Sequence, residues 1–163
     1  MPPVVSSSKP AMEIRLARSG DADSLVEFNQ AMALETEGKS LAAETLAPGV
    51  LAVFSDSQKG FYVVADDDDT IAGGLMVTFE WSDWRNGWFW WIQSVYIRPE
   101  YRGRSIYSAL YDFVKAKAAE QGNVCGFRLY VEKENEHAQK VYEKVGMVRT
   151  YYLMFEELGG NAS

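Results

Sequence analysis

The sequence predicts an α/β (α+β) fold in which one mixed central sheet is flanked by helices. Strand-like alternation and helix-like spacing succeed each other in the order β-α-α-β-β-β-α-β-α-β. Turn signals such as Asn86-Gly87 separate the middle strands directly, which is typical of antiparallel hairpins. Helical segments separate the last strands, which favours crossovers between parallel strands. Together the three observations predict a sheet that contains both kinds of pairing.

The first half of the chain predicts a strand, two helices and a hairpin. Asp21 is a suitable N-cap for the first helix, and Gly38 ends it. The pair Pro48-Gly49 is expected to interrupt the second helix. The acidic run at residues 66–69 is expected to form the turn of the hairpin. In chain order the elements are residues 13–18, 22–37, 41–54, 60–65 and 71–80.

The second half of the chain alternates strands with helices. A basic loop at residues 98–104 follows the longest strand, and the helix after the loop ends at Gly122. Asn135 and Gly146 are expected to cap the last helix at its two ends. The predicted strands are residues 88–97, 127–132 and 148–155, and the helices are residues 106–121 and 136–145.

The length of 163 residues fits one domain, which we place at residues 12–158. Residues 1–11 are rich in Pro and Ser and are expected to form a disordered tail, and residues 159–163 are expected to form a C-terminal tail. The N-terminus lacks the apolar segment of a signal peptide, and no stretch is apolar enough to span a bilayer. With the single cysteine, Cys125, these features predict a cytoplasmic protein without a membrane partner.

The charge of the chain narrows its partners. A formal net charge of −7 disfavours nucleic acid, because phosphate neutralisation needs clustered Lys and Arg. The same acidity favours a cationic small molecule such as an amine, although solubility alone also accounts for it. No Cys/His spacing resembles a zinc site, and the aspartates at residues 66–69 lack the spacing of a calcium loop. We therefore expect no metal.

The segment at residues 88–122 has the order strand, basic turn, helix. A helix N-terminus exposes unpaired N–H groups and a partial positive charge, so a tight turn before it makes a phosphate cradle. Arg102 and Arg104 would add cationic side chains to this cradle. On the pattern alone, an ordinary surface turn is an equal alternative.

Two strings of sequence resemble the motifs of one family. Residues 95–107, VYIRPEYRGRSIY, resemble the acetyl-CoA signature of the GNAT superfamily, which is a strand, a Pro and then Q/R-x-x-G-x-G/A. Residues 135–147, NEHAQKVYEKVGM, are similar to the family's second motif. The motifs stand in the family's order and separation. The resemblance implies a GNAT-like mixed sheet of about six to seven strands flanked by about four helices.

The resemblance also implies roles for individual residues. The backbone of Val95, Tyr96 and Ile97 would pair with the pantetheine arm, and an N–H there would polarise the thioester carbonyl. Tyr142 matches the general acid that protonates the departing thiolate. The implied cofactor-binding positions are Val95, Tyr96, Ile97, Arg102, Gly103, Arg104, Ser105, Ile106, Tyr107, Ser108 and Asn135.

Two positions depart from the family's signature. Ser105 and Tyr107 stand where the family has Gly and Gly or Ala, and Gly there lets the backbone approach phosphate closely. Ser is small and adds a hydroxyl, and the Tyr side chain can be accommodated if it points into the core. The departures bear on cofactor affinity more than on the fold.

The acceptor side is specified less well. Glu80, at the end of a strand, is the first candidate for the base that deprotonates the acceptor, and Glu132 is the second. A solvated strand-end carboxylate is the alternative for both. Glu35 could bind a cationic acceptor, as could Trp81 and Trp84 through cation–π contacts. Core packing and a homodimer interface are the alternatives for the tryptophans.

These residues predict an enzyme, an acyl-CoA-dependent N-acyltransferase. It would move the acetyl group of acetyl-CoA to a primary amine by direct transfer in a ternary complex, with a small-molecule amine favoured over a protein N-terminus or lysine. The alternative from another class is a non-catalytic acyl-CoA-binding regulatory module, which Ser105 and Tyr107 motivate. A phosphate-loop nucleotide site is disfavoured because the Walker Lys-Ser/Thr pair is absent.

Overall fold

The computed structural model describes residues 12–160, so the predicted N-terminal tail at residues 1–11 and residues 161–163 of the predicted C-terminal tail lie outside the described residues. It forms two compact units, the first ending at Tyr130 and the second beginning at Val131. The first unit contains β1 (Glu13–Leu16), α1 (Ala22–Glu37), α2 (Ala43–Ser55), β2 (Phe61–Asp67), β3 (Thr70–Ser82), β4 (Gly87–Ile97), α3 (Ile106–Gln121) and β5 (Val124–Arg128). The second contains α4 (Glu136–Lys144).

The five strands form one mixed sheet in the order β1-β2-β3-β4-β5. The pairs from β1 to β4 are antiparallel, and β5 lies parallel to β4. With four helices, this architecture confirms the predicted mixed fold class. Helix α3 connects the two parallel strands, β4 and β5, as expected for a strand-helix-strand crossover.

The predicted strand at residues 148–155 is not formed in the described part of the chain, and this accounts for the lower strand count. Its alternating sequence satisfies the local requirement for a strand. However, the second unit contains one helix and, among its described residues, no other strand to pair with. A lone strand leaves its backbone groups without a ladder, so alternation alone does not fix this conformation.

Helix α2 runs through Pro48-Gly49, where the sequence predicted an interruption. Proline removes one backbone hydrogen bond but leaves the helical φ intact. The apolar side of α2 packs into the core, where Val50 is buried and Leu46, Val53 and Phe54 are half-buried. This packing offsets the single lost hydrogen bond, because tertiary burial outweighs local propensity.

Asp21 precedes α1 but makes no side-chain capping bond to it. Its carboxylate instead accepts the backbone N–H of Arg18 at 2.7 Å and the Arg15 guanidinium at 2.8 Å. Arg15 also donates to Asp66 at 3.1 Å, so one guanidinium joins the start of α1 to β1 and β2. The hydrogen bond from Arg15 holds the pKa of Asp21 below its usual value.

The two faces of the sheet carry different cores. Helices α1 and α2 cover one face, where Leu25 and Phe28 pack with Tyr62, Val64 and Tyr96. Helix α3 covers the other face, where aliphatic side chains pack together with a cluster of aromatic rings. The rings on that face include Phe61, Phe79, Trp90, Tyr111 and Phe127, which meet at centroid distances of 5.3 to 6.5 Å. Among residues 12–160, no helix has the length and apolarity needed to cross a membrane.

Candidate active site

A bulge in β4 interrupts its pairing with β3. Gly74 faces Tyr96 and Met76 faces Gln93, so β4 has one residue more than β3 between these two pairs. Ser94 takes up the extra residue with a left-handed φ of 52°, which is rare for a residue other than glycine. Such backbone outliers persist only where the surrounding structure holds them in place. They are concentrated at functional sites.

Beyond the bulge, β4 loses its partner on the β5 side. The parallel register ends at the Trp91–Arg128 pair, so within the described first unit no strand pairs there with the rest of β4. Arg98 donates its backbone N–H to Ala72 on β3, at 2.8 Å. Because backbone groups alternate along a strand, those of Val95 and Ile97 are turned toward the unpaired side. The predicted pantetheine-binding backbone therefore lies at an opening in the sheet.

The loop that follows β4 bends into the start of α3. Gly103 has φ 78° and Ser105 has φ 58°, so both are left-handed, and Ser105 is the N-cap of α3. Ser105 makes no side-chain capping bond, so it leaves the first-turn N–H groups of Ile106, Tyr107 and Ser108 uncapped. Left-handed residues before a helix turn N–H groups toward one point, as a phosphate cradle requires.

The two departures from the family's signature are accommodated differently. Tyr107 is 7% exposed and its ring stacks on Tyr111, with centroids 6.1 Å apart and planes 8° from parallel. Its bulk is therefore in the core and not in the loop. Ser105, in contrast, occupies a conformation that glycine adopts without strain. Ser at position 105 therefore costs backbone strain, whereas Tyr at position 107 occupies volume in the core.

The two predicted cradle arginines lie in different surroundings. Arg102 donates through Nε to the Ile97 carbonyl at 3.0 Å and through Nη2 to Glu35 at 2.9 Å. Arg104 lies over the Tyr101 ring, with its guanidinium carbon 5.3 Å from the centroid. Within residues 12–160, no carboxylate lies within ion-pair distance of Arg104. Its charge is thus the less neutralised of the two.

Glu35, predicted to bind a cationic acceptor, contacts Tyr96 on β4 and Arg102 in the loop after it. Its Oε1 accepts the Tyr96 hydroxyl at 3.1 Å, and its Oε2 accepts Arg102 at 2.9 Å. Burial raises the pKa of Tyr96, and the hydrogen bond to Glu35 raises it further. The structure thus brings together three predicted site residues from α1, β4 and the loop.

Glu80 lies near the end of β3, on the same face of the sheet that α1 and α2 cover further along the strand. Two donors bind its carboxylate. Its Oε1 accepts the Arg128 guanidinium at 2.7 Å and the Trp91 indole N–H at 3.3 Å. In the described residues no hydrogen bond reaches Oε2. Trp91 precedes Val95 by four residues, which is about 13 Å along a strand. As a base, Glu80 would therefore act through water rather than by direct contact.

Trp81 and Trp84 do not join Glu80 in one cluster. Trp81 follows Glu80 directly, so its side chain is on the opposite face, where it meets Trp88 edge-on at 5.0 Å. Trp84 lies in the turn between β3 and β4 and is 88% exposed. The aromatic partner of Glu80 is Trp91, which was not selected from the sequence. Cross-strand alternation is the signal that identifies it, because Glu80 and Trp91 are both on the face opposite to Trp81.

In the second unit, α4 carries Asn135 and Tyr142. Asn135 is the N-cap of α4, and its side chain accepts the Ala138 N–H at 3.1 Å. Burial raises the pKa of Tyr142, so its phenol is protonated at neutral pH. A protonated phenol is what a general acid for a thiolate requires. Glu132, the second base candidate, precedes α4, and its carbonyl accepts from Gln139 at 3.2 Å.

No group of three His, Cys, Asp or Glu side chains in residues 12–160 is arranged to hold a metal ion.

A bulged strand that opens beside a glycine-containing basic loop fits the acetyl-CoA-dependent class that the sequence resembles. The acetyltransferase (GNAT) family model matches residues 24–147. None of the curated proteins matches the chain at a significant level. The solved structure of "a possible acetyltransferase from Clostridium difficile 630" is 44% identical, with a TM-score of 0.84, and the match covers 91% of this chain and 97% of that one. The chain belongs to the GNAT acetyltransferase family.

Two more distant structures share the fold. One is a "predicted acetyltransferase with acetyl-CoA from Clostridium acetobutylicum", at 20% identity and a TM-score of 0.73, covering 89% of this chain and 96% of that one. The other is "AAC(6')-Iy in complex with bisubstrate analog CoA-S-monomethyl-acetylneamine". It is 14% identical with a TM-score of 0.73 and covers 91% of this chain and 98% of that one. At these identities the likeness shows the fold alone.

Proposed function

We propose that this protein is an N-acetyltransferase that moves an acetyl group from acetyl-CoA to a primary amine, with a small-molecule amine as acceptor. The single observation that carries the proposal is the unpaired edge of β4 beyond the bulge at Ser94, next to the loop that begins α3. A thioester arm needs a free strand edge, and its pyrophosphate needs a cradle of N–H groups. Both lie on consecutive segments of this chain.

The backbone at Val95 is the candidate for polarising the thioester carbonyl. Its backbone groups are turned toward the unpaired side of β4, where the N–H can donate to an oxygen that gains negative charge in the transition state. The left-handed Ser94 just before it fixes this direction. An N–H held by the fold needs no reorganisation during the reaction, and this makes such donors effective.

The transfer is a direct displacement in a ternary complex. The acceptor nitrogen attacks the carbonyl carbon, a C–N bond forms and the C–S bond breaks. One proton leaves the nitrogen, and one reaches the thiolate sulfur. Tyr142, whose pKa is raised by burial, is the proposed donor of the second proton.

Glu80 is the proposed base for the first proton, through a water chain. Its Oε1 is fixed by Arg128 and Trp91, and Oε2 is open to water or to an ammonium group. The same arrangement, a fixed carboxylate beside the Trp91 ring, also suits an anchor for a cationic acceptor. Trp91, which Glu80 contacts, is about 13 Å along the strand from Val95, and this separation favours the anchor over direct proton abstraction.

The nature of the acceptor follows from the charges at this face. One carboxylate, from Glu80, stands beside one guanidinium, from Arg128, so the local charge is balanced. A monoamine fits this arrangement better than a polycation, which would need several carboxylates. Acetylation of a protein N-terminus or lysine stays the second candidate. The cytoplasmic location and the homodimer stay predictions from the sequence.

The test is titration calorimetry followed by an amine screen. Acetyl-CoA is expected to bind the full chain at micromolar affinity, and Arg104→Ala is expected to weaken it because the charge of Arg104 faces no carboxylate. Thiol release is then measured with acetyl-CoA and a panel of monoamines, polyamines and peptides. Binding without thiol release from any acceptor would favour the non-catalytic module. No binding by the folded chain would overturn the proposal.

A further inference from the structure

Two glutamates of α1 are paired with two arginines at the end of β4. Glu27 contacts Arg98 at 2.9 Å, and Glu35 contacts Arg102 at 2.9 Å. The glutamates are eight residues apart, slightly more than two helical turns, so they are on nearly the same side of α1. One face of α1 is therefore attached to both ends of the turn at Pro99–Tyr101.

Aromatic rings fill the space between the two ion pairs. The Arg98 guanidinium lies 4.9 Å from the centre of the Phe28 ring, and that of Arg102 lies 5.5 Å from the Tyr96 ring. The Phe28 and Tyr96 rings are themselves 5.2 Å apart. Guanidinium groups stacked on rings are held in orientation as well as in charge. The row is continuous from α1 to the loop.

The two ion pairs differ in what they fix. Arg98 also donates to the Ile71 carbonyl at 2.7 Å, so the first pair ties α1 to β3. Arg102 donates instead to Ile97, at the open edge of β4, and is followed directly by Gly103. Only the second pair therefore constrains the segment that leads into the cradle of α3.

We propose that Glu35 is a positioning residue, which holds Arg102 and through it fixes the loop that binds the pyrophosphate of acetyl-CoA. The inference rests on the proposed function for the identity of the ligand. Arg104 then supplies the charge that faces the phosphates, and Arg102 supplies the geometry of the loop. Both oxygens of Glu35 are engaged, so we propose this role in place of the acceptor binding predicted from the sequence.

A consequence is that the acceptor side and the cofactor side are mechanically joined. Glu35 lies in the last turn of α1, just before the left-handed Gly38 that leads to α2. The sequence predicted that Glu35, in this turn, could bind a cationic acceptor. A movement of this turn upon acceptor binding would be transmitted to Arg102 through a 2.9 Å ion pair. By linkage, the cofactor would affect acceptor affinity equally.

The experiment is calorimetric titration of acetyl-CoA into the full chain and its variants. Glu35→Ala is expected to raise the Kd by about five- to tenfold, the range for loss of a charge-assisted contact that orders a loop. Glu35→Gln keeps one carbonyl oxygen that can accept from Arg102, and its NH2 group can donate to the Tyr96 hydroxyl, but the negative charge is lost. It is expected to raise the Kd about threefold. Two matched controls, Glu27→Gln and Glu37→Gln, are expected to leave the Kd within about twofold.

A double-variant cycle separates positioning from general stability. If Glu35 acts through Arg102, adding Glu35→Ala to Arg102→Ala produces little further loss, and the two effects are not additive. Melting temperatures are measured in parallel. Glu27→Gln is expected to lower the melting temperature as much as Glu35→Gln does, without weakening the binding of acetyl-CoA. Unchanged or tighter binding in Glu35→Ala would overturn this inference alone. No binding to the wild-type chain would overturn the proposed function and this inference together.

Discussion

Gly126 lies where β5 passes closest to the side chain of Phe89. A Cβ placed on Gly126 would be 2.7 Å from Cε1 of Phe89 and 3.1 Å from Cδ1, both inside normal contact distance. The Phe89 ring is 7% exposed and carries the Arg128 guanidinium 3.5 Å from its centre. The ring is thus held on both sides. We expect Gly126→Ala to lower the free energy of unfolding by about 1–3 kcal/mol, the usual cost of overpacking.

A matched control isolates the steric effect from the change in residue type. A Cβ on Gly49, inside α2, would meet nothing within 4 Å. Gly49→Ala is therefore expected to raise the free energy of unfolding by about 0.5–1 kcal/mol, because alanine restricts the unfolded chain. Urea unfolding followed by tryptophan fluorescence measures both. Equal stability of Gly126→Ala and the wild type would refute the overpacking argument.

The same substitution carries a functional test. Displacing Phe89 displaces Arg128, and Arg128 is the residue that fixes Glu80. The KM for the amine is then expected to rise while the Kd for acetyl-CoA stays unchanged, since the cradle is on other segments. Adding Phe89→Leu to Gly126→Ala removes the colliding ring atoms and is expected to restore part of the stability. Failure of this rescue would place the cost elsewhere than at the ring.

Three further results are expected. Tyr142→Phe should lower kcat by about 10²- to 10⁴-fold with the Kd for acetyl-CoA within twofold, because it removes the proposed proton donor. An unchanged kcat would exclude the phenol as the acid. The hydrogen bond from Arg15 holds the pKa of Asp21 below its usual value, so the stabilisation is complete above that usual value and is lost as the pH falls through the lowered pKa. Asp21→Asn should therefore make acid unfolding less steep, and an identical acid transition would contradict this. Ser105→Gly relieves the strain of a left-handed φ but increases the conformational entropy of the unfolded chain, so the free energy of unfolding should change by less than about 1 kcal/mol. Loss of acetyl-CoA binding would show that the Ser105 hydroxyl contacts the ligand.

The parts of the fold that depend on neighbouring segments were predictable from the sequence. The hairpins and the crossover through α3 join elements that are adjacent in the chain, so turn residues and periodicity determine them. The segment at residues 148–155 has the same alternation, but a strand also needs a partner, and alternation does not supply one. Helix α2 shows the converse at Pro48, where core packing outweighs a local helix breaker.

In the candidate site as well, local features could be predicted from the sequence and long-range contacts could not. The loop that the motif predicts as the phosphate cradle has left-handed backbone at Gly103 and Ser105 and is followed by a helix. The partner of Arg102 was not predictable, because Glu35 is 67 residues away and only the packing of α1 brings it there. Glu80 and Trp81 were grouped as sequence neighbours, and strand alternation separates them onto two faces.

This alternation assigns different roles to the tryptophans on the two faces of the sheet. Trp88 and Trp90 pack on the α3 face, where Trp90 is buried against Phe61 and Phe127. Trp91 is turned to the other face, and its indole N–H is directed at a carboxylate rather than at a ring. The first pair can thus be replaced by other large apolar residues with a loss of stability alone. Replacement of Trp91 releases Glu80 from one of its two donors, so among these rings it is the one whose loss should change acceptor affinity while the fold persists.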